Sequence, residues 1–224
     1  MVRELSANLQ VAIDVVNLDK AMRIAKATYV SGARYIEAGT PLIKKYGVLP
    51  VKIFRAYFDD AFIVADTKTM DAGVLEARVF YEAGADIVTV LALASKETIE
   101  EVTELAREYG KLVMVDFINV ANPIERLEEI ANIGFDIVCL HIGVDVQKRR
   151  GISIISLVNE ARFIREKYGS IKLALAGGIK PQIIPQIIHA KPDIVIVGGY
   201  ITRSNDPGKR AREILHAIAS SGKT

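Results

Sequence analysis

Eight short runs of apolar, largely β-branched residues recur from one end of the chain to the other, and they restrict its fold more than any other feature. They read LQVAID (9–14), ARYIEAG (33–39), FIVAD (62–66), DIVTVLA (86–92), KLVMVD (111–116), DIVCLHIG (136–143), IKLALAGG (171–178) and DIVIVGG (193–199). Near-continuous apolarity, without the alternation of a half-exposed strand, is what a strand covered on both faces requires.

The stretches between these runs have helical spacing. LDKAMRIAKATYVSG places Met22, Ala25, Tyr29 and Val30 on one stripe and closes at Gly32. SKETIEEVTELAREYG offers Ser95 as N-cap, early acids and a closing glycine, and NPIERLEEIANIG opens with Asn122 as cap before Pro123. ISLVNEARFIREKYG and DPGKRAREILHAIAS repeat the pattern, and turns such as Gly84-Ala85-Asp86 and Gly134-Phe135-Asp136 lead from helix to next strand. Eight strand-helix units in 224 residues predict a single (β/α)8 TIM barrel. A doubly wound sheet normally has fewer strands and a Gly-x-Gly-x-x-Gly turn after the first, which is missing here.

The barrel is expected over residues 1–219, with 220–224 (SSGKT) as a polar tail and linker remnant. That tail is not a phosphate loop, because Ala217 stands where the motif requires its first glycine. The net charge of +2 does not suggest nucleic acid or a membrane surface as a partner. The one basic cluster, QKRRG (147–151), reads as part of a loop. Cys139, the only cysteine, rules out an internal disulfide and reads as a buried, inert thiol. No run has the length of a membrane span and no signal segment is recognisable, so a cytoplasmic protein is expected.

In a barrel, reactive groups belong at the C-terminal ends of the strands. Those ends supply Asp14, Glu37, Asp66 with Lys68, an apolar end near Leu91, Asp116, His141 and then two double glycines. Buried charges of this kind are costly unless they pair or hold a cation. For Asp14 alone, capping the next helix is the competing explanation. Asp66 and Lys68 lie two apart, so strand alternation turns both into the barrel mouth, while Asp71 comes near the next helix start and can point elsewhere. A lysine between carboxylates stays protonated, which suits a cation or proton donor rather than a nucleophilic amine.

Glu37 and Asp66 end adjacent strands and could share Mg²⁺; the alternative is that Lys68 neutralises both. The glycine pairs in AGGIKP (176–181) and VGGYITRSNDP (197–207) suit phosphate binding through backbone N–H groups, with Arg203 adding charge. His141 is the candidate for proton transfer, whereas His189 and His216 fall in helical stretches without an assigned role. The glycine-bounded loop 143–151 could close over substrate or be a solvated turn.

The segment DTKTMD, an Asp-x-Lys-x-x-Asp at strand three, resembles the signature of the orotidine 5′-monophosphate decarboxylase suprafamily. The match runs from Asp14 to the glycine pairs. Orotidylate decarboxylases work without metal and carry lysine at the end of strand two. Glu37 reverses that charge and resembles the metal-dependent branch, the 3-hexulose-6-phosphate synthases and 3-keto-L-gulonate-6-phosphate decarboxylases. Asp116, Val144 and Ala176 are similar to the synthase family rather than to the Glu, Arg and Thr of the decarboxylases. HIGVDVQ and VGGYIT also resemble the synthases, although Tyr200 is bulkier than the residue expected there.

That resemblance implies Glu37 and Asp66 as Mg²⁺ ligands and Lys68, His141, Asp66 and Asp71 as catalytic residues. It implies substrate binding by Asp14 and Asp116 and by the backbone at Gly178, Ile179, Gly199 and Tyr200. It further implies a homodimer with shared active sites, Asp71 reaching into the neighbouring subunit. The implied reaction is reversible aldol addition of formaldehyde to D-ribulose 5-phosphate, giving D-arabino-hex-3-ulose 6-phosphate through a 1,2-enediolate. A fused or partner 6-phospho-3-hexuloisomerase would accompany it. Two other readings compete: 3-keto-L-gulonate-6-phosphate decarboxylation, and a non-catalytic sugar-phosphate sensor that would need the glycines but not the Asp-Lys-Asp trio.

Overall fold

The computed structural model describes residues 7–222. Eight parallel strands follow one another around a closed barrel: β1 (Asn8–Ile13), β2 (Tyr35–Ala38), β3 (Phe62–Thr69), β4 (Ile87–Leu91), β5 (Leu112–Asp116), β6 (Ile137–His141), β7 (Lys172–Ala176) and β8 (Ile194–Val197). β1 pairs with β8 as well as with β2, so the predicted (β/α)8 barrel is closed and no strand is left with an open edge. Inward side chains, among them Tyr35, Val64, Ile87, Met114, Ile137 and Ile194, fill its interior. A second, larger apolar layer lies between strands and helices, with Leu42, Phe54, Ile99, Leu127 and Ile214 fully buried. Each such side chain contributes about 1.5–3 kcal/mol of burial free energy.

The helices are α1 (Leu18–Val30), α2 (Thr40–Tyr46), α3 (Leu49–Tyr57), α4 (Gly73–Glu82), α5 (Lys96–Tyr109), α6 (Pro123–Ile130), α7 (Val144–Arg150), α8 (Val158–Lys167), α9 (Ile184–Ile187), α10 (Gly199–Thr202) and α11 (Pro207–Ser221). Ser95 caps α5 by accepting the Thr98 N–H at 3.1 Å, and Asp206 caps α11 through the Lys209 N–H at 2.8 Å. Asn122 precedes α6 as expected, but its amide donates to Glu125 instead of accepting a backbone N–H. α1 is capped by Asn17, which accepts the Lys20 N–H at 2.8 Å, so Asp14 is not engaged as a cap.

Three segments differ from the sequence reading. Residues 144–150, expected as loop, form α7, because Val-Asp-Val-Gln-Lys-Arg-Arg contains good helix formers between two terminating glycines. The seventh unit has only the four-residue α9 between two 3₁₀ turns, since Pro181 and Pro185 interrupt helical hydrogen bonding. Ser220 and Ser221, expected in the tail, complete α11, while the rest of that expectation at Lys223 and Thr224, and the barrel boundary at residues 1–6, lie outside the described residues. No helix among the described residues is long and apolar enough to cross a membrane.

The N-terminal face has its own repeated device. Asp86, just before β4, accepts the Ile63 N–H of β3 at 2.9 Å; Asp136, before β6, accepts the Val113 N–H of β5 at 2.9 Å; Asp193, before β8, accepts the Leu173 N–H of β7 at 2.7 Å. Arg55 and Lys111 pair with Asp86, and Arg165 pairs with Asp193.

Candidate active site

At the opposite face, β1, β2 and β3 bring three acids together: one carboxylate oxygen each from Asp14, Glu37 and Asp66 lies within 4.8 Å of the others. Glu37 and Asp66 are buried, at 5% and 7% exposed, whereas Asp14 opens to solvent just beyond β1. Gly39 makes this convergence feasible. A Cβ there would stand 2.2 Å from Asp14 Oδ1 and 3.0 Å from the Ile13 carbonyl, so any side chain would displace Asp14.

Burial, then the facing Asp66 and Asp14 carboxylates, pushes the Glu37 carboxyl well above its ordinary range. Asp14 is shifted in the same direction, first by the low-dielectric walls of the mouth and then by Asp66, even though part of its side chain meets solvent. Oxygen donors that repel one another when ionised suit a hard divalent cation, and Mg²⁺ fits the donor set. Lys68 offsets some of this repulsion but touches only Asp66 of the three, at 3.1 Å.

Lys68 reaches that position through an irregular strand, not through plain alternation. Between Ala65 and Thr69, β3 takes four steps against two along β4, and Lys68 adopts a left-handed backbone with φ 48°. A non-glycine residue held in this region costs about 1–3 kcal/mol, a strain characteristic of functional sites. The Lys68 N–H donates to Thr89 Oγ1 at 2.9 Å, and Thr67 donates its hydroxyl to the Thr89 carbonyl at 2.5 Å. These bonds hold the bulge.

Asp116 connects the two halves of the site. Its Oδ2 accepts Lys68 Nζ at 2.7 Å, both oxygens lie 3.1 Å from His141 Nδ1, and Oδ1 also accepts the Ile118 N–H at 3.0 Å. Although burial opposes ionisation, His141 and Lys68 hold the Asp116 carboxyl well below the usual carboxylate range. Burial likewise opposes charge on Lys68, but Asp66 and Asp116 outweigh it and keep the ammonium protonated far above neutral pH. An ionised carboxylate can only accept, so His141 donates from Nδ1, and Nε2 is the ring nitrogen outside this pairing. Cys139 lies within 4.8 Å of both residues, and burial followed by the Asp116 charge suppresses its thiolate.

The glycine turns fall on neighbouring strands, since β7 pairs with β8. Gly178 and Gly199 are exposed, and Ile179 is buried in the outer core. Gly177 has φ +120°, and a Cβ there would meet the Ile142 carbonyl at 2.7 Å, so the turn packs directly on the segment after His141. The Arg203 guanidinium lies against Gly199, with atoms 3.0–3.2 Å from where a Cβ would stand. Tyr200 sends its ring away towards α11, bonding to Glu213 and Arg210, and this accommodates its bulk outside the glycine turns. Asp71 stands apart from the other candidates: it is exposed between β3 and α4 and has no hydrogen-bond or ion-pair partner among the described residues.

Sequence reasoning missed four contributors. Thr40 donates to Asp66 Oδ2 at 2.7 Å, Thr89 to Asp66 Oδ1 at 2.9 Å, Gln10 to Glu37, and Gly39 makes room for Asp14. Gln10 alone had a visible signal, as the one amide inside the apolar run LQVAID.

Known proteins resemble this chain over nearly its whole length. The model of the orotidine 5′-phosphate decarboxylase / HUMPS family matches residues 7–214. The 3-hexulose-6-phosphate synthase of Bacillus subtilis is 37% identical over 212 residues, covering 94% of this chain and 98% of that protein. The crystal structure of 3-hexulose-6-phosphate synthase from Salmonella typhimurium aligns with a TM-score of 0.89 at 33% identity, over 96% of this chain and 99% of that one. A bifunctional enzyme Fae/Hps of Methanoregula boonei is 37% identical over 211 residues, which are 94% of this chain and 52% of that longer protein.

Proposed function

The chain is an enzyme of the orotidine 5′-phosphate decarboxylase / HUMPS family, and from that premise we propose that it catalyses reversible, Mg²⁺-dependent aldol addition of formaldehyde to D-ribulose 5-phosphate. The observation that carries this reading is the placement of Lys68 between Asp66 and Asp116, beside the acid cluster and joined through Asp116 to His141. Glu37 and Asp66, with Asp14 adjoining, would hold the ion, which when bound supplies Lewis-acid stabilisation of negative charge on the substrate oxygens.

The protein's own groups account for the rest. The backbone at Gly178, Ile179, Gly199 and Tyr200, with Arg203 beside it, anchors the substrate phosphate and so orients its ketone end. Loss of the C1 proton gives the 1,2-enediolate, and the fixed ammonium of Lys68 favours that developing charge. C1 then bonds to the formaldehyde carbon, whose oxygen takes up a proton, giving D-arabino-hex-3-ulose 6-phosphate. His141 moves protons through Nε2, while Asp116 fixes its ring and the lysine.

The direct test is formaldehyde consumption with ribulose 5-phosphate, with Mg²⁺ and with chelator. Turnover that persists after complete metal removal would sink the metal assignment. Release of CO₂ from 3-keto-L-gulonate 6-phosphate, with no consumption of formaldehyde, would favour the decarboxylase alternative.

We also propose a cytoplasmic homodimer in which exposed, unpartnered Asp71 completes the neighbouring subunit's site. Lys68→Ala and Asp71→Ala chains, each inactive alone, should regain activity when mixed, because one site of the hybrid is then intact. Mixtures that exchange subunits and stay inactive would refute the shared site. The two-part Fae/Hps relative supports further association with a second catalytic unit, for which a 6-phospho-3-hexuloisomerase would consume the product.

A further inference from the structure

Gln10 is a polar side chain in the wrong surroundings. It lies on β1 inside the barrel at 1% exposure, in register with Tyr35 on one side and Ile196 on the other. Its Nε2 donates to Glu37 Oε2 at 2.6 Å, and its Oε1 has no hydrogen-bond partner among the described residues. An apolar side chain of similar size would fill this position without burying an unsatisfied carbonyl. The amide must therefore matter for what it touches.

Glu37 depends on that single contact. Asp66 accepts from Thr40, Thr89 and Lys68, which fix both of its oxygens. Glu37 accepts only from Gln10 among the described residues, and it shares the cluster with the repelling Asp14 and Asp66. Without a donor its carboxylate would be free to turn away from both. The bond from Gln10 to Oε2 fixes the orientation of the whole carboxylate, one oxygen of which lies within 4.8 Å of the Asp14 and Asp66 oxygens.

We infer that Gln10 is a positioning residue for divalent-cation binding: its amide aims the Glu37 carboxylate into the space between Asp14 and Asp66. This rests on the reading of Glu37 as a metal ligand, and a donor behind a ligand of this kind commonly governs metal affinity.

The experiment is a calorimetric titration of metal-free protein with MgCl₂, paired with kcat measured across Mg²⁺ concentration. Gln10→Met keeps the volume and removes the donor. It should weaken Mg²⁺ binding about ten- to a hundredfold, while kcat recovers at saturating Mg²⁺ and the thermal midpoint of the metal-free protein is not lowered. A purely structural residue would not give that split. Gln10→Asn, whose shorter amide falls short of Glu37, should show the same loss and serves if the methionine variant does not fold. Mg²⁺ affinity within about twofold of the unsubstituted protein in a folded variant would overturn the role of Gln10 alone. If the unsubstituted protein itself takes up no Mg²⁺, the ligand reading of Glu37 fails and this inference fails with it.

Discussion

Replacing Lys68 with alanine is expected to lower kcat about 10²–10³-fold, the usual effect of removing one preorganised charge from a reacting centre. The loss should exceed any change in affinity for ribulose 5-phosphate, whose phosphate we place at the glycine turns rather than at Lys68. Lys68→Arg should not rescue the rate, because a planar guanidinium cannot occupy the compact position between Asp66 and Asp116. Single-turnover kinetics would check this, and a rate within threefold or so of the parent would remove Lys68 from the mechanism.

The same substitution carries a pH signature. The folded Asp116 carboxyl is depressed, despite burial, by His141 and Lys68, so its stabilising contribution is present above the unfolded value of about 4 and is lost as pH falls through the folded value. Lys68 is raised, so its share is complete below its unfolded value and lost only in strong alkali. Both statements describe largely one interaction. The alanine variant should consequently be less stable than the parent at pH 7, with the gap narrowing in acid.

Glu37→Gln is expected to lower Mg²⁺ affinity and activity together by about two orders of magnitude, and yet to stabilise the metal-free protein. Burial and then the Asp66 charge raise the folded Glu37 carboxyl, so the native state holds a proton that the unfolded state releases between the two values. Stability of the metal-free parent therefore falls as pH rises through that window, and the glutamine variant escapes the fall. Above the folded value the variant should be more stable by about 1 kcal/mol, the scale of relieving one frustrated functional charge. Below the unfolded value of about 4.3 the difference should close. Saturating Mg²⁺ should reverse the order by binding the folded parent. Melting curves across pH, with and without MgCl₂, provide the check; a variant less stable at every pH contradicts the account.

What the sequence made readable follows from how each feature is encoded. Strands covered on both faces write themselves as apolar runs, and their C-terminal ends were recognisable because Asp14, Glu37, Asp66, Asp116 and His141 break those runs. The bulge at Lys68 was not readable, since it depends on β4 presenting Thr89 at the right register. Thr40 and Thr89 were invisible for the same reason: a threonine near a strand end is ordinary until a neighbouring strand places a carboxylate against it. α7 was hidden by its glycines, which serve helix ends as readily as loops. The seventh unit ran the other way, its prolines breaking a helix that the architecture leads one to expect.

The aspartates at the N-terminal face imply a further order in the molecule. Asp86, Asp136 and Asp193 each clasp the strand before their own, which divides the staves into pairs: third with fourth, fifth with sixth, seventh with eighth. In the first pair the matching position is Arg34, a residue that can only donate and that turns instead to Tyr29, Ala33 and Asp60. Three quarters of the ring are thus latched by one rule at this face and the opening quarter is not, so the first two staves are held here by their ladder and packing, and the Gln10–Glu37 hydrogen bond joins them only farther along the strands.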